Sequence, residues 1–246
     1  MASLKDKGTT PHRMLGSAPS RMLTLHGFSA SNYYNVAKLA LLEKGLPFRE
    51  SLVWTGAGKD YLPEYLEKSP LGKVPCLETD EGFITESRCI VDYLERAFPE
   101  PALYPTGAFQ RAKMLELTQY IDLYLELPAR RLLRNVFSGK RPPEAIATEV
   151  RQAVENGARA LRELARFDEF LWGDRFTAAD IAGAIHFPAV RRVTQVALDC
   201  DPLSEVPGLL EYVARMDERP AIKRVHEDRD KIFPDFIAYI RKRFAG

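Results

Sequence analysis

The spacing of apolar residues changes several times between positions 22 and 98. Apolar and polar side chains alternate at 22–26, which predicts a strand, and a helical apolar spacing at 36–43 predicts a helix. Farther along, the pattern predicts a strand at 48–54, a short helix around 61–67, a hairpin with strands at 74–79 and 83–85, and a helix whose apolar face spans 90–98. This order of elements predicts an α/β domain with a small mixed sheet.

After prolines at positions 99, 101 and 105, the apolar spacing is helical. It predicts long helices at 108–136 and 143–167, helices that begin near Ala178 and Val206, and a short helix after Pro220 that is followed by an aromatic-rich stretch. Pro188 is expected to bend or end its helix. The predicted organisation is a disordered leader at 1–20, an α/β domain at 21–98, a linker at 99–106 and an all-α helical bundle at 107–246.

Composition narrows the class of protein. The chain has 246 residues, is 46% hydrophobic and carries a net charge of +1, which is typical of a globular protein and gives no overall field for nucleic acid or an anionic membrane. No apolar run reaches the ~18 residues of a membrane span, so we expect a cytoplasmic protein. The basic residues between 130 and 141 are predicted to form a solvated helix face.

Cysteines and histidines give no sign of a disulfide framework or a metal centre. Cys76, Cys89 and Cys200 are odd in number and widely spaced, so we expect three reduced and mostly buried thiols. The four histidines have no metal-ligand spacing with one another or with carboxylates. The sequence therefore predicts no metal site.

Three short segments could carry chemistry. Pro75 stands where a strand begins, either as an ordinary edge proline or in a cis peptide that exposes the backbone of Val74 to a small peptide. Glu86 and Ser87 precede a helix, where Ser87 is a good N-cap; they form either a plain capping pair or a site for a carboxylate and an ammonium.

The third segment is the turn before the first helix. Ser29, Ser31 or Asn32 could cap that helix. A serine hydroxyl there could also donate a hydrogen bond to a bound anion, with help from the helix dipole.

The order and spacing of these segments resemble the glutathione S-transferase family. The resemblance covers about residues 22–228 and is carried by LHGFSASNYYNVAKLALLEKGL, SPLGKVPCL and ITESRCIVDYL. The segment FTAADI is similar to the family's helix-capping motif, with Thr177 as N-cap and Asp180 as its reciprocal partner. The resemblance implies a thioredoxin-like N-terminal domain followed by an all-α C-terminal domain.

The resemblance also implies roles for individual residues. Ser31 would activate the thiol of glutathione. Glutathione itself would be held by Lys59, Lys73, Val74, Pro75, Glu86 and Ser87. Asn32 replaces a proline that often follows the active serine, so Ser29 and Ser31 are not separable from sequence.

The resemblance implies a glutathione transferase that adds the thiolate to a small hydrophobic electrophile. Glutathione is then a co-substrate, and no permanently bound cofactor is needed. In the family the first long helix walls the electrophile pocket, which makes Tyr120 and Tyr124 candidates, although such a pair is also typical of a core or an interface. Phe233 is a third candidate.

Other functions on the same fold remain open at this point. A glutathione-dependent isomerase, etherase or peroxidase would use the same glutathione site, and a non-catalytic binding module would need none of its chemistry. The turn at 28–34 has no cysteine, which argues against thiol-transferase activity. The resemblance further implies a homodimer with the long helices at its interface.

Overall fold

The computed structural model of the protein describes residues 22–54 and 63–244. The predicted leader at 1–20 and the candidate Lys59 lie outside the described residues. The first domain contains strands β1 Leu23–Gly27, β2 Phe48–Leu52, β3 Cys76–Thr79 and β4 Gly82–Thr85, and helices α1 Asn32–Glu43, α2 Pro63–Leu66 and α3 Ser87–Ala97. Each predicted element of this half is present.

The four strands form one mixed sheet in the order β2-β1-β3-β4. β1 and β2 are parallel and are connected through α1, whereas β3 pairs antiparallel with both β1 and β4. This arrangement confirms the thioredoxin-like first domain. Helix α1 packs against α3 of its own domain.

The described part of the second domain is helical. Its elements are α4 Ala108–Tyr120, a π-helical turn Ile121–Glu126, α5 Leu127–Arg130, α6 Leu133–Ser138, α7 Glu144–Leu164, α8 Ala178–Leu198, a 3-10 turn Pro202–Glu205, α9 Leu209–Asp217 and α10 Pro220–Phe244. As predicted, the Thr177 side chain caps α8, and the Asp180 carboxylate accepts a hydrogen bond from the Thr177 backbone N–H. A common core joins the two domains, and α1 packs on both α8 and α10.

The π-helical turn interrupts the first long helix that the sequence predicts. Its last backbone bond reaches back five residues to the Asp122 carbonyl. Pro128 follows directly, and in a regular α-helix its ring would clash with the Tyr124 carbonyl. The wider turn accommodates the proline. Gly157 of α7 packs against the same carbonyl, where an added Cβ would lie 2.6 Å from the oxygen.

Two prolines lie inside helices that continue past them. Of the two outcomes predicted for Pro188, a bend or an end of its helix, the end is wrong, because α8 runs on to Leu198. Phe187 and Val190 are buried beside it, and their packing offsets the hydrogen bond that the proline cannot make. The prediction of a short helix after Pro220 is also wrong, because α10 extends over 25 residues through Pro234 and includes the aromatic stretch.

Candidate functional site

Strand pairing brings three segments to one end of the sheet. β1 is antiparallel to β3, with His26 opposite Cys76, and β3 is antiparallel to β4, with Cys76 opposite Thr85. The chain therefore leaves β1, enters β3 and leaves β4 at the same end of the sheet. These positions belong to the Ser31 turn, to Val74–Pro75 and to Glu86–Ser87.

The turn after β1 presents Ser31 at the start of α1. Ser31 is the N-cap, and its Oγ accepts from the backbone N–H of Tyr34 at 3.4 Å, which is long for a hydrogen bond. Its hydroxyl hydrogen can be donated elsewhere. Ser31 is partly exposed, whereas Ser29 is buried and its carbonyl accepts from the Asn35 side chain at 2.8 Å. Exposure therefore separates two serines that the sequence could not separate.

The Val74–Pro75 peptide bond is cis, which is one of the two predicted alternatives. The Lys73 carbonyl before it accepts from the hydroxyls of Tyr65 at 2.9 Å and Ser69 at 2.8 Å, while the Lys73 side chain is exposed. Gly27 lies against this segment, since an added Cβ would come within 3.1 Å of the Val74 Cβ. The end of β1 and Val74 are thus direct neighbours.

Glu86 and Ser87 occupy the start of α3, but their roles differ from the prediction. The prediction that Ser87 is the N-cap is wrong by one residue: Glu86 is the N-cap, and Ser87 is the buried first residue of the helix. Glu86 has φ 66° and ψ 117°, and its exposed side chain makes no capping bond. A non-glycine residue with this backbone costs about 1–3 kcal/mol, and such strain clusters at functional sites.

An aromatic cluster covers the turn after β1. Its members are Phe28, Trp54, Phe137, Phe233, Phe236 and Tyr239. The ring of Phe28 lies 5.4 Å from that of Phe236 and 5.1 Å from that of Trp54. Val74 and Ala30 pack on the same cluster. The structure thus brings Phe233 to the end of the sheet where the three candidate segments meet.

Tyr120 and Tyr124 form a ring pair of their own on the second domain. Their rings pack edge to face with centroids 5.0 Å apart, and Tyr124 is 50% exposed. The ring contacts found within 22–54 and 63–244 do not connect this pair to Phe233. Leu123 and Leu127 beside them are also exposed.

A set of polar side chains that the sequence did not reveal links α1 to the second domain. Asn32 donates to Glu126 Oε1 at 2.8 Å, and Tyr33 donates to Glu126 Oε2 at 2.5 Å. Arg130 donates to Asn32 Oδ1 at 2.6 Å and lies over the Tyr33 ring, so it is not on the solvated face that was predicted for it. With His186, whose Nδ1 is 3.2 Å from Asn32 Nδ2, these residues form the interdomain polar cluster.

Charge compensation inside this region keeps its carboxylates ionised. Burial alone would raise the pKa of Glu126, but the charge of Arg130 and the hydrogen bonds from Arg130 and Tyr33 hold that pKa below its usual range. Burial alone would likewise raise the pKa of Asp122. The Arg88 guanidinium binds both carboxylate oxygens at 2.6 Å, and its effect outweighs burial, so the pKa lies far below its usual range. His186 Nε2 lies 3.3 Å from the same carboxylate.

Two features of the sequence point to part of this cluster. Pro128 inside an otherwise helical pattern marked the π-helical turn, and the turn carries both Asp122 and Glu126. Glu126 and Arg130 have the spacing of a helical ion pair. Neither signal identifies the partners, because those come from α1, α3 and α8.

None of the three cysteines belongs to the turn after β1. Cys76 is buried at the start of β3, and burial raises the pKa of its thiol to about 11. Cys89 lies on α3 and is exposed, which corrects the expectation of mostly buried thiols, and Cys200 is half-buried. All three are free thiols.

Two absences concern residues 22–54 and 63–244. Within these ranges, no group of three or more His, Cys, Asp or Glu side chains could hold a metal ion. No helix of the same part of the chain combines the length and the apolar character that crossing a bilayer requires.

Comparison with known proteins identifies relatives over most of the chain. A family model for the N-terminal domain of glutathione S-transferase matches residues 25–102, and one for the C-terminal domain matches 129–220. A glutathione S-transferase from Pseudomonas putida is 39% identical over 220 residues, which cover 89% of this chain and 98% of that protein. A maleylacetoacetate isomerase from Pseudomonas aeruginosa is 28% identical over 180 residues, or 71% of this chain and 84% of the isomerase.

A solved structure shows the same fold. The crystal structure of poplar glutathione transferase F1 superposes with a TM-score of 0.73 at 20% identity, and the match covers 86% of this chain and 100% of the poplar chain. The two matched domains and the Pseudomonas putida relative show the family. The chain belongs to the glutathione S-transferase family of enzymes.

Proposed function

We propose that the protein binds glutathione at the end of the sheet and ionises its thiol with the hydroxyl of Ser31. The observation that carries this proposal is the strand register, which gathers the Ser31 turn, Val74–Pro75 and Glu86–Ser87 at one place. In the proposed complex the Val74 backbone pairs with the cysteinyl part of glutathione, beside Pro75. Glu86 and Ser87 hold the γ-glutamyl ammonium and carboxylate, and Lys73 and Lys59 face the glycine carboxylate.

Ser31 has the properties that thiol activation needs. A free thiol has a pKa near ~8.5, so little thiolate exists at neutral pH, and the thiolate is the nucleophile. A hydrogen bond donated to an ion contributes ~1.5–3 kcal/mol, and a helix N-terminus adds ~0.3–1 kcal/mol. The long contact to Tyr34 leaves the Ser31 hydroxyl free to make such a bond.

The proposed reaction is a conjugation. The thiol of glutathione gives its proton to water, and the thiolate sulfur forms a bond to an electrophilic carbon while the leaving group departs with the electrons of its bond. The aromatic cluster supports a hydrophobic electrophile, and we propose that Phe233 contacts it. Tyr120 and Tyr124 remain candidates for the same pocket.

We also propose a cytoplasmic homodimer. Exposed apolar side chains support an interface along the first long helices of the second domain, namely Phe109, Leu123, Tyr124 and Leu127. This location favours the interface alternative for the Tyr120–Tyr124 pair. Sedimentation that shows only monomer at micromolar concentration would contradict the dimer.

Ser31→Ala tests the proposed activation. We expect the pKa of bound glutathione to rise and kcat to fall roughly ten- to a hundredfold, with little change in glutathione affinity, because one hydrogen bond to the thiolate is lost. Ultraviolet titration of the bound thiolate and turnover of an aryl halide measure these effects. If Ser31 is only a helix cap, the variant loses ~1 kcal/mol of stability and the titration does not move.

Two controls sharpen this experiment. Ser29→Ala should leave the titration unchanged, because Ser29 is buried. A variant with Cys76, Cys89 and Cys200 all replaced by serine should keep its activity; loss of turnover there would instead support a cysteine mechanism.

A second candidate is a glutathione-dependent isomerase, which the similarity to a maleylacetoacetate isomerase supports. The two candidates share the addition of the thiolate and differ in the next step: an isomerase expels the sulfur again after rotation about a carbon–carbon bond. Recovery of free glutathione and an isomerised maleyl substrate, with no conjugate from an aryl halide, would favour the isomerase.

A further inference from the structure

Asn32 connects the turn that carries Ser31 with the second domain. It directly follows Ser31 and is the first residue of α1. Its side chain, however, bonds to three side chains of the other domain: Glu126 at 2.8 Å, Arg130 at 2.6 Å and His186 at 3.2 Å. Helix formation does not require such contacts, because an N-terminal turn can be solvated.

These contacts fix the orientation of the Asn32 amide. Its oxygen faces the Arg130 guanidinium, which only donates, and its nitrogen faces the Glu126 carboxylate, which only accepts. A flipped amide would place its NH2 group against the Arg130 donor and its oxygen against the Glu126 carboxylate. Both amide hydrogens are thus directed at Glu126 and His186, so Asn32 has none left to give a thiolate. This excludes a direct role of Asn32 in thiol activation.

Tyr33 reinforces the same attachment. Its hydroxyl donates to the second oxygen of Glu126 at 2.5 Å, and the Arg130 guanidinium lies 4.7 Å from its ring centroid. Glu126 binds two consecutive residues of α1, Asn32 and Tyr33. Because Glu126 is only 3% exposed, both bonds are shielded from water. Two anchors on successive residues oppose rotation of the first turn of α1 about its axis.

Ser31 depends on this anchoring more than an ordinary N-cap residue does. Among residues 22–54 and 63–244, the 3.4 Å contact to Tyr34 is the one hydrogen bond found for its hydroxyl, so the backbone of the first turn and the staggered positions about Cα–Cβ set where the hydroxyl lies. We propose that Asn32 is a positioning residue for the Ser31 hydroxyl, and that Glu126, Arg130 and His186 hold it there from the second domain. This inference rests on the proposed activation of glutathione by Ser31.

Asn32→Ala tests the inference, with Glu43→Ala as its matched control. Glu43 lies at the other end of α1 and also binds the second domain, through Arg219 at 2.8 Å. Asn32→Ala should lower kcat roughly tenfold and raise the pKa of bound glutathione by about one unit, with KM for glutathione changed less than about twofold. Glu43→Ala should leave all three values unchanged within about twofold. Equal effects of the two variants on kcat would overturn the inference.

Glu126→Gln gives a second test that does not require the loss of a side chain. Removal of a negative charge would by itself lower the pKa of a nearby thiol. Glutamine has one carbonyl acceptor, so it cannot accept from Tyr33 while it accepts from Asn32 and Arg130, and the bonds that remain lose their charge assistance. The weaker anchoring should raise the thiol pKa instead. Circular dichroism and a thermal melt verify that each variant is folded. A lowered or unchanged pKa in this variant would overturn the positioning role.

The outcomes separate this inference from the function on which it rests. If Ser31→Ala raises the thiol pKa and Asn32→Ala does not, activation by Ser31 stands and positioning by Asn32 fails. If the wild-type protein does not bind glutathione in a titration calorimeter, both are overturned.

Discussion

Two of the contacts between the domains adjoin the Ser31 turn, and they are opposite in character. The interdomain polar cluster consists of directional bonds, such as those from Asn32 and Tyr33 to Glu126. The aromatic cluster consists of ring contacts, with Phe28 and Phe236 stacked at 5.4 Å. One side of the turn is therefore held by hydrogen bonds and the other by apolar packing.

This difference has consequences for the site. A buried hydrogen-bond network tolerates little displacement, because each unsatisfied polar group costs about 1–3 kcal/mol. Apolar side chains can repack at lower cost if their total volume is kept. We infer that the polar side fixes the geometry of thiol activation and that the aromatic side is the one that can adapt to different electrophiles.

The largest effect is expected at Lys38, where a polar contact holds α10, the helix that carries half of the aromatic cluster. Lys38 is fully buried in α1 and binds Glu50 of β2 at 2.8 Å and Asp228 of α10 at 2.8 Å. Lys38→Met fills the space but removes the buried cation that Glu50 and Asp228 share, and Asp228 keeps the more distant Lys231 and Arg224. Because both carboxylates keep some water contact, we expect a loss near the low end of the usual range, about 3 kcal/mol.

Urea unfolding measures this loss, and Lys231→Met is the matched control. Lys231 also contacts Asp228, at 3.4 Å, but its side chain is 72% exposed. Its replacement should change the unfolding free energy by less than about 1 kcal/mol. Similar values for the two variants would mean that the rings alone dock α10.

A leucine substitution in each of these two clusters should give losses of unfolding free energy of intermediate size, and the losses should differ between the clusters. Asn32→Leu removes three bonds and leaves Glu126 and Arg130 partly unsatisfied, so we expect a loss of about 2–3 kcal/mol. Phe236→Leu keeps an apolar side chain in the aromatic cluster and should cost about 1–1.5 kcal/mol. A larger loss for Phe236→Leu in urea unfolding would reverse our assignment of the rigid side.

The smallest effect should be the acid sensitivity of the Asp228 contact. Burial raises the pKa of Asp228, but the hydrogen bond and charge of Lys38 outweigh burial and lower that pKa below its ordinary value. A carboxyl with a lowered pKa in the folded state stabilises the protein above its unfolded pKa of about 3.9, and this contribution disappears as the pH falls through the lowered value.

The difference in unfolding free energy between wild type and Asp228→Asn should therefore be constant from about pH 7 to 5 and shrink below about pH 4. Urea titrations across that range measure it. A difference that stays constant down to about pH 3, or grows, would show that Asp228 does not depend on its ion pair with Lys38.

Much of the fold could be predicted because it follows from local pattern. The period of two at β1, the helical spacing in α1 and the turn residues of the β3–β4 hairpin each determined their element. The capping pair Thr177 and Asp180 was also predictable, since both residues lie within one helical turn. The continuous α10 could not be predicted, because Pro234 locally disfavours a helix. The helix continues because its apolar face packs on α1.

The candidate site divides in the same way. Ser31, Val74–Pro75 and Glu86–Ser87 could be proposed from sequence because each stands at the end of a predictable strand or helix. The structure then decided which residue caps α3 and which serine is exposed. It also gave Arg130 a buried partner, Glu126, that its basic neighbours in the sequence did not indicate.

The sequence by itself determined the two-domain architecture, the family and the residue types at the proposed glutathione site, because periodicity and short motifs are local properties. Only the tertiary structure decided that Asn32, Glu126, Arg130 and His186 meet, since they come from positions up to 154 residues apart and their bonds depend on the packing of α8 and the π-helical turn against α1. A long-range polar contact of that kind leaves no periodic pattern in the sequence. Its partners become recognisable only when burial removes water and each donor must find an acceptor within the protein.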